Sequence, residues 1–167
     1  MIEFLTVTTI WPTGFQESNP LMFKFLQNLF PADRKYQDRK ILIVDDNEVD
    51  RKIVAKALDR LGCRVLTAVD GEIGYHVALS EIPDLILSDC HMPNMDGVEM
   101  CKRLRDHDET SNIPVIFLTG DNSPAKVIDF FDGPNTENYM CKPINPRLLA
   151  SQIDEILSRH FHDDQQR

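Results

Sequence analysis

Leu85-Ile86-Leu87-Ser88-Asp89-Cys90-His91-Met92-Pro93-Asn94-Met95-Asp96-Gly97 reads as a buried strand that ends in a carboxylate and opens into a Pro/Asn/Gly loop. A carboxylate so placed stands at the mouth of a sheet, within reach of a ligand. Asp45 and Asp46 end an earlier apolar run, Ile41–Val44, in the same way. Lys142 closes a later run and Thr119 ends another. Three acids, one base and a hydroxyl at four strand ends point to a metal-assisted phosphate site.

Outward from that stretch, strand and helix patterns alternate five times from residue 40. The expected strands are Ile41–Val44, Arg64–Ala68, Asp84–Ser88, Pro114–Leu118 and Asn138–Cys141. Asn47 caps a first helix with Glu48 and Asp50 in its first turn, where the helix dipole favours acids. Its apolar stripe is Val49, Ile53, Val54, Ala57, Leu58 and Leu61, and Gly62 stops it. Asp70 caps a second helix, which carries Ile73, Val77 and Ala78 and ends before Pro83. A third runs from about Gly97 to His107, burying Val98, Cys101 and Leu104. Ser123-Pro124 starts a fourth, presenting Val127, Ile128 and Phe131 and ending at Gly133. Asn145-Pro146 starts a fifth, with Leu149, Ile153, Ile156 and Leu157 facing inward. Strands separated by helices of this length imply parallel pairing through right-handed crossovers, hence an open, doubly wound α/β sheet. Such sheets bind ligands outside the carboxyl ends of their strands, where the candidate residues sit.

The 167-residue chain is 42% hydrophobic and 27% charged, ordinary globular usage. Its formal net charge of −9 disfavours direct nucleic-acid binding through a basic surface. Residues 1–39 hold four acids and four bases, so the imbalance falls on the rest and invites a cation. Cys63, Cys90, Cys101 and Cys141 match no zinc spacing and fit a reducing compartment as structural residues. No apolar run approaches the ~20 residues of a membrane span. Met1-Ile2-Glu3-Phe4 lacks the positive start of a signal peptide, so a cytoplasmic location is expected.

Three converging carboxylates resist joint ionisation, and a divalent cation removes the conflict. Magnesium, or manganese, prefers oxygen ligands and keeps several waters. Asp46 and Asp89 are assigned as direct ligands, Asp45 as a ligand through water, and the backbone carbonyl of His91 as a further one. Asp89 can then act as a nucleophile toward phosphorus. Lys142 neutralises transferred phosphoryl oxygens and Thr119 offers them a hydroxyl. Tyr139, an amphipathic aromatic three residues before Lys142, is placed to turn inward as Thr119 moves, which would make a switch.

Taken together, Ile41-Leu42-Ile43-Val44-Asp45-Asp46, the Asp89 loop with Met92-Pro93 and Asp96-Gly97, Leu118-Thr119-Gly120, and Tyr139-Met140-Cys141-Lys142-Pro143 resemble the receiver domain of bacterial two-component response regulators. The resemblance covers residues 40 to about 160. It implies a five-stranded flavodoxin-like sheet of order 2-1-3-4-5. It implies that Asp89 takes a phosphoryl group from a histidine kinase or a histidine phosphotransfer protein, with slow self-dephosphorylation rather than enzymatic turnover. Asp45 and Asp46 would hold magnesium, Thr119 and Lys142 the phosphoryl group, and Tyr139 would report the state. By the same resemblance His91 and Asp121, two residues past the phosphoacceptor and the threonine, tune phosphate lifetime. Gly120 departs from the family's usual alanine, and Asp132–Asn138 from its usual connection.

Residues 1–39 form an N-terminal extension. Trp11-Pro12-Thr13-Gly14 is a turn signal. A short amphipathic helix is expected near 20–30, with Leu21, Met22, Phe25, Leu26, Leu29 and Phe30 on one face, followed by a charged linker, Asp33–Lys40. That face would pack on the receiver or on a second copy of the chain, or dock a partner. Its few charges fit a membrane surface poorly. Residues 161–167 are a polar tail, too short for a DNA-binding or enzymatic output domain. The expectation is a stand-alone receiver acting on a downstream protein target. The alternatives are a receiver fragment of a larger regulator or hybrid kinase, and a haloacid-dehalogenase-like phosphatase. Such phosphatases generally place a second aspartate two residues after the nucleophile, where His91 stands.

Overall fold

The computed structural model describes residues 36–59, 61–120 and 139–164. The expected helices near 20–30 and 123–133, and Asp121, lie outside the described residues. Five parallel strands form one sheet: β1 (Lys40–Val44), β2 (Arg64–Ala68), β3 (Leu85–Asp89), β4 (Val115–Thr119) and β5 (Tyr139–Cys141). Their order is β2-β1-β3-β4-β5, the doubly wound order expected. The described helices are α1 (Glu48–Asp59), α2 (Gly71–Glu81), α3 (Gly97–Arg105) and α4 (Pro146–Asp164). None of them is long and apolar enough to cross a membrane.

The central strands are continuous apolar runs because both faces of the sheet are covered. Alternation along each strand then sorts the residues. Ile41, Ile43, Leu85, Leu87, Ile116 and Leu118 pack on α1 and α4 through Val54, Leu58, Leu149 and Ile153. Leu42, Val44, Ile86, Val115 and Phe117 face the other way, onto α2 and α3 through Ala78, Met100 and Leu104. Ile41 to Val44 are fully buried. Burying each such side chain contributes roughly 1.5–3 kcal/mol against the entropy of ordering it.

Helix starts follow the expected chemistry. Asn47 Oδ1 accepts from Val49 N at 2.9 Å, Asp70 Oδ1 from Ile73 N at 2.8 Å, and Asn145 Oδ1 from Arg147 N at 3.0 Å. Asp96, a cap absent from the expected set, accepts from Glu99 N at 2.7 Å and starts α3. Gly62 ends the α1 region at φ 73°, a left-handed conformation suited to glycine.

Several details differ from expectation: β4 is Val115–Thr119 where Pro114–Leu118 is expected, and α3 ends at Arg105 where His107 is expected. Val49 and Ile53 are 63% and 37% exposed and do not belong to the inward stripe of α1. At about 100° per residue, Val49 lies about 140° round the helix from Val54, whereas Ala57 and Leu58 flank it. Ile73 on α2 is likewise exposed, because the inward face there is Gly71, Gly74 and Ala78. Strand three begins at Leu85, not Asp84. The Asp84 side chain instead accepts from the Lys40 backbone N–H at 2.8 Å and from Arg39 at the amino-terminal edge of the sheet.

Candidate functional site: an acid pocket with a lysine

Parallel pairing delivers the candidate residues to one rim. Val44 pairs with Ser88, Asp89 with Leu118, and Thr119 with Cys141, so β1, β3, β4 and β5 end side by side. Asp45 and Asp46 follow β1, Asp89 ends β3, Thr119 ends β4, and Lys142 follows β5. The backbone ties these ends together: Cys90 N donates to Leu118 O at 3.3 Å, and Lys142 N to Thr119 O at 2.7 Å. The Lys142–Pro143 peptide is cis.

Asp45, Asp46 and Asp89 each offer a carboxylate oxygen, and these oxygens lie within 4.8 Å of one another. Asp45 is fully buried, Asp89 is 7% exposed, and Asp46 is open to solvent. Lys142 Nζ reaches into the pocket, 2.6 Å from Asp89 Oδ2 and 2.9 Å from Asp45 Oδ2. A third carboxylate, Asp50 Oδ2, lies 2.9 Å from the same nitrogen. The second oxygens of the inner acids are also engaged. Asp45 Oδ1 accepts from Asn47 N at 2.8 Å, and Asp89 Oδ1 from His91 N at 3.0 Å. Arg51 donates to the Asp45 backbone carbonyl at 2.6 Å.

Burial raises the Asp45 pKa, and its hydrogen bonds to Lys142 and Asn47 oppose that only in part. Burial alone would lower the Lys142 ammonium. Its hydrogen bonds to Asp89, Asp45 and Asp50 more than compensate and hold it above the ordinary lysine range. The lysine is therefore a fixed positive charge, while the site as a whole stays acid-rich.

The donor set suits a hard divalent cation. All three convergent ligands are carboxylate oxygens, and their span is close to the ~4.2 Å across an octahedral magnesium site. The soft Cys90 thiol beside them is buried, and its pKa is pushed up to about 12 by burial, with the Asp89 charge adding to it. It is no competitor as a thiolate.

Thr119 is 2% exposed at the end of β4. Tyr139, at the start of β5, is 46% exposed and pairs in register with Phe117. The His91 side chain is exposed. Two residues gain roles that sequence reasoning missed. In the sequence Asp50 is only a favourable charge in a first helical turn, and no local signal marks its contact with Lys142. Tyr36 is 1% exposed, and its hydroxyl bonds Asp154 Oδ1 at 2.7 Å and Ser158 Oγ at 3.0 Å on α4. A lone aromatic within the charged Asp33–Lys40 linker was the available clue.

The family model of the response regulator receiver domain matches residues 41–154. The alkaline phosphatase synthesis transcriptional regulatory protein PhoP of Bacillus subtilis is 38% identical over 73% of this chain and 50% of its own length. The CAI-1 autoinducer sensor kinase/phosphatase CqsS of Vibrio cholerae is 35% identical over 76% of this chain and 18% of its own length. Among solved structures, the chemotaxis response regulator CheY4 of Vibrio cholerae superposes with a TM-score of 0.64 and 31% identity, covering 71% of this chain and 98% of that one. The chain thus spans about half the length of PhoP and far less of the kinase. Fold, strand order and sequence agree over the same residues, and the chain belongs to the response regulator receiver family.

Proposed function

We propose that Asp89 accepts a phosphoryl group from a phosphohistidine, on a histidine kinase or a histidine phosphotransfer protein, and that the added charge changes a protein-binding surface. The observation that carries this is the Lys142 ammonium held 2.6 Å from Asp89 Oδ2, inside a pocket of acids from a neighbouring strand end. A carboxylate oxygen of Asp89 forms a bond to phosphorus as the P–N bond breaks. The electron pair of that bond returns to the imidazole, which takes a proton from water. Lys142 faces the negative charge spread over the phosphoryl oxygens. Magnesium or manganese, when bound by Asp46 and Asp89, by Asp45 through water, and by the His91 carbonyl, would supply further positive charge there.

The Thr119 hydroxyl is assigned to a phosphoryl oxygen, and Tyr139, half-exposed on the neighbouring strand, to the switch. Water attack on the acyl phosphate ends the signal slowly. His91, whose backbone N–H already bonds Asp89, and Asp121 are assigned to setting that lifetime. Output is assigned to a downstream protein target in a cytoplasmic phosphorelay. A net charge of −9 argues against direct nucleic-acid contact by this chain. The short match to much longer relatives equally supports a receiver that works as one part of a larger regulator or hybrid kinase.

The test is incubation with acetyl phosphate and Mg2+, read by intact mass, on the wild type and Asp89→Ala. One phosphoryl adduct is expected on the wild type only. Equal labelling of both proteins overturns the assignment.

A further inference from the structure

Lys142 has a carboxylate partner that phosphoryl transfer leaves unused. Asp50 comes from the first turn of α1 and lies outside the trio whose oxygens converge. Its Oδ2 is 2.9 Å from Lys142 Nζ, as near as that of Asp45. Asp45 and Asp89 face a conflict. Both bond the lysine, both spend their other oxygen on a backbone N–H, and both belong to the cation pocket. A divalent cation entering that pocket repels the ammonium and claims the same oxygens. Asp50 carries no such second duty toward the cation. Its side chain is 23% exposed, so it can follow a small movement of the lysine at little cost.

We infer that Asp50 is a positioning residue, a reserve counter-ion that draws Lys142 off Asp45 and Asp89 when a divalent cation binds, yet keeps the ammonium beside the phosphoryl-accepting oxygen. The inference rests on the reading of the acid pocket as a cation site and of Lys142 as a phosphoryl-binding group. Without Asp50 the lysine has nowhere to retreat and competes with the cation. The consequence is a specific coupling: Asp50 helps the cation bind only while Lys142 is present. A plain electrostatic field from Asp50 would act whether or not the lysine is there.

The experiment titrates the full chain with Mn2+ alone and follows free Mn2+ by electron paramagnetic resonance. It uses wild type, Asp50→Asn, Lys142→Met, the double variant and Asp50→Glu. Lys142→Met is expected to bind Mn2+ more tightly than the wild type. Asp50→Asn should weaken binding roughly five- to tenfold with the lysine present and less than about twofold in the Lys142→Met background, a coupling of the size seen between charges in contact. Asp50→Glu, which keeps the carboxylate, should stay within about twofold of the wild type. The same loss from Asp50→Asn in both backgrounds overturns the inference, as does a loss in Asp50→Glu as large as in Asp50→Asn. Absence of Mn2+ binding by both the wild type and Lys142→Met would instead bring down the cation-site reading beneath it.

Discussion

Adding one methyl group at Gly97 tests how tightly the strand end that carries Asp89 is held. Gly97 is the first residue of α3, and its φ is not in the left-handed region, so space rather than backbone freedom requires glycine there. A Cβ at this position would overlap the Asp89 carbonyl oxygen outright and stand 2.5 Å from Ser88 Oγ, about 0.9 Å inside the 3.4 Å where ordinary contact begins. The Asp89 carbonyl is main chain and cannot rotate away. Relief requires α3 to back off the sheet, which strains the Asp96 cap on Glu99 N. Overpacking of this kind costs typically ~1–3 kcal/mol. Replacing a helical glycine returns somewhat under ~1 kcal/mol.

A main-chain overlap belongs at the upper end of the overpacking range, about 2–3 kcal/mol, so the expected net loss for Gly97→Ala is about 1–2 kcal/mol, or a fall in melting midpoint of roughly 2–8 °C. Because the push falls on the backbone of Asp89, adduct formation with acetyl phosphate should also drop, by up to roughly a hundredfold if the carboxylate moves by an ångström. Gly120→Ala is the control. A Cβ there meets nothing within 4 Å among the described residues, and the expected change is within about 0.5 kcal/mol. The assays are thermal unfolding by circular dichroism and intact mass after a fixed labelling time. If Gly97→Ala melts within about 1 °C of the wild type, or no lower than Gly120→Ala, the packing argument is wrong.

Asp45 gives a pH dependence with a definite sign. Its folded pKa is raised by burial above that of an ordinary aspartate, so just above the ordinary aspartate range the folded state binds more protons than the unfolded chain does. Its contribution to stability therefore falls as pH rises through that window, and urea midpoints in chelator should decline with pH in the wild type relative to Asp45→Asn. A flat difference between the two proteins would contradict this. The Cys63, Cys90 and Cys101 thiols are buried with pKa values pushed up to about 12, mainly by burial, while Cys141 is exposed. A thiol reagent at pH 8 should modify one cysteine rapidly, and peptide mapping should find it at Cys141; fast modification of any other refutes the packing. Tyr36→Phe removes the hydroxyl that bonds Asp154 and Ser158 and should cost about 1–2 kcal/mol in urea unfolding, with little effect on labelling at Asp89. Unchanged stability would show that the hydroxyl contributes nothing net.

Much of the fold was legible because the central strands are apolar throughout and each ends in a polar residue. Strand ends are the parts of a parallel sheet that one-dimensional reading locates best, and Asp45, Asp89, Thr119 and Lys142 all lie at them. Helix faces were less legible. Val49 and Ile53 are apolar and fall within the α1 pattern, yet the sheet accepts only the narrower face of Val54, Ala57 and Leu58. Contacts made by residues away from the strand ends were not legible at all. Nothing in the order of residues says that Asp50 meets Lys142, or that Tyr36 is swallowed by the packing of α1 and α4. Such contacts depend on helix placement, which hydrophobic period fixes only to within a fraction of a turn.

The main-chain bonds from Cys90 to Leu118 and from Lys142 to Thr119 join adjacent strand ends sideways, as a hem joins threads. Acidic and basic side chains can therefore swing, trade partners and take up new charge while their points of attachment stay still. Reactivity here is carried by torsions about Cα–Cβ and beyond, on a seam that does not travel with them. Side-chain rotation at the pocket needs none of these main-chain bonds to break, whereas sliding of one strand past the next would break them.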